Sequence, residues 1–230
     1  MRIGRTLFWF SDGDEQLVSV NDDFFGIGTL LNRLLNEKYD GRKITFINLH
    51  FYPDKTFALH PIIPKDAPYY YGGHLSYYGW YNLKLFNLMN WNEKKLFVWE
   101  KGFAYLKQSA EFTKNEKLLE AAQYAYSKGL EMNLNPDYRL LDLDFDVSGQ
   151  KFRASLWINF EDDGMSSLLS VEKDTTVIFE KPIDKSRKGI EYFLVMYKSL
   201  LFDEDRIIIK GDRDVEYLPL RVPLSEFCNT

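Results

Sequence analysis

Residues 69–81 have the composition of a recognition surface. Seven of these thirteen residues are tyrosine or tryptophan, which combine a large apolar area with few rotatable bonds and a hydrogen-bonding tip. Consecutive tyrosines on an extended chain cannot all point the same way, so at least one ring of the 69–71 triplet should face away from its neighbours. Packing of the same rings into the core is the alternative interpretation. The candidate partner-binding residues are Tyr69, Tyr70, Tyr71, His74, Tyr77, Tyr78, Trp80 and Tyr81.

His74, within this segment, is the candidate acid or base. Histidine is a common general acid or base, so a carboxylate brought close by the fold would predict a second function. That function is an enzyme, or a binder of a small molecule or carbohydrate, with an aromatic-lined pocket. The chain has no Gly-x-Ser-x-Gly elbow, and the sequence assigns no catalytic residue. The pattern therefore favours a non-catalytic protein and leaves the enzyme as the alternative.

The acidic run Glu161, Asp162 and Asp163 completes the predicted partner-binding set. The whole chain has a net charge of −5 and a pI near 5.4. Nucleic-acid binding usually depends on a clustered basic face, so this balance argues against it and favours a protein partner with a basic surface. In physical type the chain is similar to proteins that neutralise toxins or nucleases, such as immunity proteins. Whether it acts as a monomer or a homodimer is left open.

Asp142, Asp144 and Asp146 alternate with apolar residues, so on a strand their carboxylates share one face. Hard-cation coordination is one interpretation. A hairpin turning at Ser148-Gly149 is simpler, because it places Asp146 opposite Lys151 and Asp144 opposite Arg153. It also places three pairs of apolar residues opposite each other: Phe145 with Phe152, Leu143 with Ala154, and Leu140 with Trp157. We therefore predict ion pairs rather than a metal site.

His50, His60 and His74 are the three histidines of the chain, and they lack the spacing of a zinc site. The single cysteine, Cys228, can form no intrachain disulfide, which favours a reducing, cytoplasmic compartment. The first apolar run, residues 7–10, is too short for the core of a signal peptide. No run reaches the roughly 20 apolar residues of a membrane helix. The sequence predicts no metal, no cofactor and no membrane association.

Hydrophobic periodicity predicts the elements that position these residues. The predicted strands are 3–10, 17–20, 44–51, 56–63, 138–147, 150–160, 175–180, 206–210 and 217–222. The predicted helices are 24–37, 92–112, a helix that follows the Thr113-x-x-Glu116 capping box and ends at Asn135-Pro136, and 186–201. Strands 44–51 and 56–63 form a hairpin around Pro53-Asp54 in this prediction, and residues 64–92 form a long ordered loop.

This arrangement predicts an α+β fold, in which antiparallel or mixed sheet hairpins accompany roughly four helices, including a central helical pair. The length of 230 residues suits a single domain. Asn135-Pro136 marks a possible soft subdivision of that domain. The expected organisation is thus one α+β domain over residues 1–230, with a boundary near 135–136 if it divides.

Overall fold

The computed structural model of the protein describes residues 2–226, and Cys228 lies outside them. The fold is mixed α+β, as predicted. The chain divides into two compact units, residues 1–136 and 137–230, beside the possible boundary at Asn135-Pro136. The expectation that both form one domain stays a prediction. Within the described residues, no helix has the length and apolar character needed to cross a membrane.

The first unit alternates strands and helices. Its strands are β1 (Ile3–Asp12), β2 (Glu15–Gln16), β3 (Ile44–Tyr52), β4 (Ala67–Tyr71) and β5 (His74–Trp80). Its helices are α1 (Val18–Asp23), α2 (Phe25–Lys38), α3 (Asp54–Leu59), α4 (Leu83–Leu88), α5 (Trp91–Phe112) and α6 (Glu116–Glu131). The three long helices α2, α5 and α6 were predicted, and the three short ones were not.

A five-stranded sheet in the order β2-β1-β3-β5-β4 forms the centre of the first unit. Strands β1, β3 and β5 are parallel, and the edge strands β2 and β4 are antiparallel to their neighbours. Helix α2 lies in the crossover from β1 to β3, which a parallel pair requires. This topology brings three strands that are distant in sequence side by side.

One face of this sheet packs on the long helices. Alternate residues of β1, β3 and β5, such as Phe10, Leu49 and Tyr77, are buried in a core shared with α2, α5 and α6. The ring of Tyr77 stacks on Tyr105 of α5, with centroids 4.2 Å apart. Gly79 is needed here, because a Cβ at this position would lie 2.0 Å from the Tyr105 ring. The Tyr105 ring can therefore lie against β5 only because residue 79 carries no side chain.

Three predicted features of the first unit are wrong. Residues 17–20 begin α1 instead of a strand, and residues 56–63 form no hairpin with β3. Pro53 instead precedes α3, where its φ of −76° suits a helix start as well as a turn. The predicted loop 64–92 holds β4, β5 and α4. Gly72 and Gly73, with φ of +57° and +85°, form the two-residue turn of the β4–β5 hairpin, since both positions need positive φ.

The second unit is mostly antiparallel sheet. Its strands are β6 (Tyr138–Val147), β7 (Gln150–Phe160), β8 (Met165–Lys173), β9 (Thr176–Ser186), β10 (Tyr197–Asp203), β11 (Arg206–Gly211) and β12 (Leu220–Pro223). They form a four-stranded sheet, β6-β7-β8-β9, and a three-stranded sheet, β10-β11-β12. Among the described residues of this unit, the helical segments are two 3₁₀ turns, Glu191–Leu194 and Leu224–Glu226.

The predicted helix 186–201 is wrong, because residues 197–203 pair with β11 as a strand. A short apolar run does not distinguish strand from helix, and pairing with a later strand decides it. Strand β8 was missed since its serines weaken the apolar pattern. All three serines of β8, Ser166, Ser167 and Ser170, are nevertheless buried and hydrogen-bonded.

The β6–β7 hairpin has the predicted register over most of its length. Asp144 faces Arg153, Phe145 faces Phe152, and the other pairs near the turn also match. The predicted pairing of Leu140 with Trp157 is wrong, because a bulge between Arg139 and Leu141 shifts the register. The bulge places Arg139 opposite Trp157, with its guanidinium carbon 4.9 Å from the ring centroid.

Candidate functional site

The second face of the five-stranded sheet carries a regular array of rings, which we call the aromatic face. Alternation along four paired strands directs the same register positions to this side. Its first row is Arg5, Phe46, His74 and Tyr71; its second is Leu7, Asn48, Ser76 and Tyr69; its third is Trp9, His50, Tyr78 and Ala67; its fourth holds Tyr52 and Trp80. The rings are thus ordered by strand register.

Neighbouring side chains in these rows are in contact. In the first row, the Arg5 guanidinium carbon lies 4.5 Å from the Phe46 ring centroid, and the rings of Phe46 and His74 meet edge to face at 4.7 Å. In the third row, His50 and Tyr78 stack with centroids 4.9 Å apart. Such contacts limit the rotamers of each ring, so the surface is ordered before any ligand binds.

Five of the predicted partner-binding residues lie on the aromatic face. The outermost are Tyr69 and Tyr71 on the edge strand β4, which are 54 % and 75 % exposed. His74 is exposed, whereas Tyr78 and Trp80 are half-buried. The structure therefore brings Tyr69, Tyr71, His74, Tyr78 and Trp80 together as one surface.

The remaining aromatics of the segment point to the helix side. Tyr77 and Tyr81, predicted at the partner surface, are 0 % and 1 % exposed and belong to the core. The Tyr77 hydroxyl donates to Gln108 Oε1 at 2.6 Å, and burial raises the pKa of Tyr77 to about 12. Tyr70 packs against the same core, beneath the guanidinium of Arg42 at 4.7 Å. The middle ring of the triplet thus faces away from its neighbours, as expected.

The array also contains residues that the sequence prediction missed: Trp9, Phe46, His50 and Tyr52. The sequence prediction misses them because it pairs residues 44–51 with residues 56–63, whereas in the structure β3 pairs with β1 and β5. The available sequence signal was the alternation of Asn48, His50 and Tyr52 with the purely apolar Ile47, Leu49 and Phe51, which is typical of a two-sided sheet. In β3 the half-buried positions on this face are Phe46, Asn48, His50 and Tyr52.

A pocket with a volume of about 270 Å³ opens on this face between β1 and β3. Its lining residues are Arg5, Trp9, Phe10, Ser11, Gln16, Asn48, His50 and Tyr52. The Trp9 indole Nε1 donates to Asn48 Oδ1 at 3.0 Å, and the Tyr52 hydroxyl lies 3.2 Å from His50 Nδ1. The rings of Trp9 and Tyr52 are therefore held in place by hydrogen bonds.

His50 is the most perturbed titratable group of this pocket. Burial lowers its pKa from 6.5 to about 4, because a buried imidazole resists protonation. His50 is accordingly neutral at physiological pH, and none of the lining residues is a carboxylate. The sequence named His74 as the candidate base, but the desolvated imidazole of the first unit is His50.

Glu161, Asp162 and Asp163, also predicted to bind the partner, follow β7 in the second unit. Asp162 and Asp163 are exposed, while Glu161 accepts a hydrogen bond from Ser166 and lies 3.6 Å from Lys185. Glu161 and Ser166 line a pocket of about 400 Å³. The acidic run therefore supplies two exposed carboxylates, Asp162 and Asp163, and one that is engaged by Ser166 and Lys185.

The negative charge of the chain lies in the second unit. Residues 1–136 contain 16 Lys and Arg against 15 Asp and Glu, a net charge of +1. Residues 137–230 contain 13 against 19, a net charge of −6. The first unit is thus nearly neutral, and the net negative charge of the chain belongs to the second unit.

The three aspartates of β6 are engaged by their neighbours. Arg153 donates to both carboxylate oxygens of Asp144, at 2.7 and 3.2 Å. Asp142 accepts from Ser155 at 2.8 Å, and Asp146 accepts from the backbone N–H of Gly149 at 2.8 Å. No group of three potential metal-ligating side chains occurs among residues 2–226.

A series of hydrogen-bonded side chains also connects segments of the second unit. Ser167 Oγ lies 2.7 Å from the Tyr197 hydroxyl, which lies 3.0 Å from that of Tyr217. Tyr217 in turn donates to Asp184 at 2.7 Å. Burial raises the pKa of Tyr197, so its hydroxyl stays protonated and the series is a structural link between strands.

Comparison with known proteins identifies no relative of this chain: no protein-family model matches it, and no significant match was found among curated proteins or solved structures.

Proposed function

We propose that this chain is a non-catalytic, cytoplasmic protein-binding module that neutralises a partner with a basic surface, such as a toxin or a nuclease. The observation that carries the proposal is the common orientation of Tyr69, Tyr71, Tyr78 and Trp80 on the aromatic face. Solvent-facing tyrosines on a rigid sheet anchor a protein partner at low entropic cost, because they have few rotamers to lose.

The charge distribution supports a basic partner. The second unit has a net charge of −6, and its exposed carboxylates include Asp162 and Asp163. A field of this sign accelerates encounters with a cationic protein, and salt weakens it because the Debye length is only about 8 Å at physiological ionic strength. The acidic groups would raise the association rate, and the rings would set the lifetime of the complex.

Affinity capture from host lysate tests this proposal with three baits. These are the unmodified chain, the double variant Tyr69→Ala/Tyr71→Ala and the control Phe112→Ala. Phe112 is 62 % exposed at the end of α5, outside the aromatic face. We expect one basic protein to be retained by the unmodified chain and by Phe112→Ala, but not by the double variant.

The kinetics of the purified pair provide the second criterion. A steered complex should associate more slowly as salt rises, with a much smaller change in its dissociation rate. An acidic or neutral captured protein, equal retention by all three baits, or no retained protein would contradict the proposal.

A further inference from the structure

We propose that the pocket between β1 and β3 binds a small organic acid consisting of one ring and one carboxylate. This inference goes beyond the proposed protein-binding function and does not depend on it. The pocket lies on the same face as the exposed tyrosines of β4 but towards the other edge of the sheet, since two strands separate β1 from β4 in the sheet order.

The size of the pocket limits its ligand. Its volume of about 270 Å³ lies just below the usual range for ligand pockets, so it suits a ligand with a single ring. Two of its walls are the rings of Trp9 and Tyr52. Trp9 is fixed by its hydrogen bond to Asn48, and a fixed indole is a stacking surface for a flat aromatic ring or for the face of a sugar ring.

The charges of the pocket favour a negatively charged ligand. Arg5 is the cationic residue of the lining, and no lining residue is acidic. His50 adds no charge near pH 7, because burial lowers its pKa to about 4. Guanidinium recognises carboxylate in a bidentate geometry and does so while stacked on an aromatic ring, as Arg5 is on Phe46.

The polar side chains of the pocket fit the same chemistry. Ser11, Gln16 and Asn48 line it with a hydroxyl and two amides. These groups can donate to carboxylate or hydroxyl oxygens of a ligand without adding charge. Carboxylate recognition by Arg5 and ring stacking on Trp9 are therefore the two features that define the ligand class.

Calorimetric titration of the full chain at pH 7 tests this with two matched pairs, 4-hydroxybenzoate with 4-hydroxybenzamide and glucuronate with glucuronamide. The members of a pair differ only in carboxylate or carboxamide. We expect one acid to bind at least about tenfold more tightly than its amide, as a charge-assisted bidentate contact would give. The pair that binds identifies an aromatic or a sugar ring.

Two pocket variants and one surface variant localise the binding. Arg5→Gln should remove the preference for the acid. Asn48→Asp keeps an acceptor for Trp9 but adds a negative charge, so it should weaken binding of the acid more than that of the amide. Tyr71→Ala, which affects the proposed protein surface, should leave both affinities unchanged. A loss of partner capture in Tyr71→Ala with intact acid binding would separate the two proposals.

Side-chain NMR gives an independent measurement on the unmodified chain. The imidazole resonances of His50 should move on titration with the acid, whereas those of His60, which lies 2.8 Å from Asp14, should not. Equal affinity for acid and amide, no binding of either acid, or an unchanged preference in both pocket variants would overturn the inference.

Discussion

Tyr77 and Tyr78 are adjacent in β5 but face opposite sides of the sheet. Tyr77 stacks on Tyr105 in the core, and Tyr78 stacks on His50 in the aromatic face. This alternation divides the aromatic segment into a structural half and an accessible half. The division determines which substitutions can test binding without disturbing the fold.

Alanine substitutions of these two tyrosines should therefore lower the free energy of unfolding by different amounts. Tyr77→Ala should lower the free energy of unfolding by about 3–5 kcal/mol, because it removes a fully buried ring, and Tyr78→Ala by less than about 2 kcal/mol. Tyr71→Ala, at a residue 75 % exposed, should change it by no more than about 0.5 kcal/mol. Urea unfolding followed by tyrosine and tryptophan fluorescence measures all three. Equal costs for Tyr77 and Tyr78 would contradict the assigned orientation.

Gly79→Ala should destabilise the first unit by overpacking. The new Cβ would lie 2.0 Å from Tyr105, and forced displacement in a packed core costs about 1–3 kcal/mol or more. In a Gly79→Ala/Tyr105→Ala double variant, the methyl group occupies space that the ring has vacated. Its cost should be smaller than the sum of the two single costs. Additive costs in denaturant unfolding would rule out the close contact.

The Asp144–Arg153 pair should be detectable by titration. The hydrogen bond from Arg153 lowers the pKa of Asp144 below its usual value, so Arg153→Gln should raise that pKa towards normal. With a depressed folded pKa, the contribution to stability is present above the unfolded pKa of 3.8 and is lost as pH falls through the folded value. Carboxyl NMR on both chains measures the change. An unchanged pKa in Arg153→Gln would remove the reason for preferring ion pairs to a metal site.

His50 should make the first unit less stable in mild acid. Its folded pKa of about 4 lies below the usual 6.5, so between these values the unfolded chain binds the extra proton. The stability is therefore full above pH 6.5 and declines towards pH 4, by up to about 3 kcal/mol, since one pKa unit corresponds to about 1.4 kcal/mol. Urea midpoints across this range should fall less in His50→Gln. An equal fall in the unmodified chain and in His50→Gln would contradict this assignment.

Local patterns were sufficient for much of the secondary structure. The predicted α2 and α5 and the β6–β7 hairpin match the structure closely, because apolar periodicity and turn residues act over neighbouring positions. The capping box predicted before α6 begins slightly too early in the sequence, because the side chain that caps this helix is Asn115 rather than Thr113. Features that depend on a short stretch of chain were thus predictable.

Pairing between distant strands was not predictable from the same patterns. The segment 44–51 was correctly predicted as a strand, but its partners are β1 and β5 rather than residues 56–63. A strand pattern specifies which residues alternate, and tertiary contacts specify which strand lies alongside. That choice created the aromatic face and brought His50 beside Trp9 and Tyr78.

The mixed α+β composition, the principal helices and the tyrosine-rich segment follow from residue patterns alone. The exposure of Tyr69 and Tyr71 and the burial of Tyr77 and Tyr81 depend on tertiary packing. Alternation assigns residues to two faces of the sheet, but the helices that pack on one face make it the core. The candidate surface is the face opposite those helices.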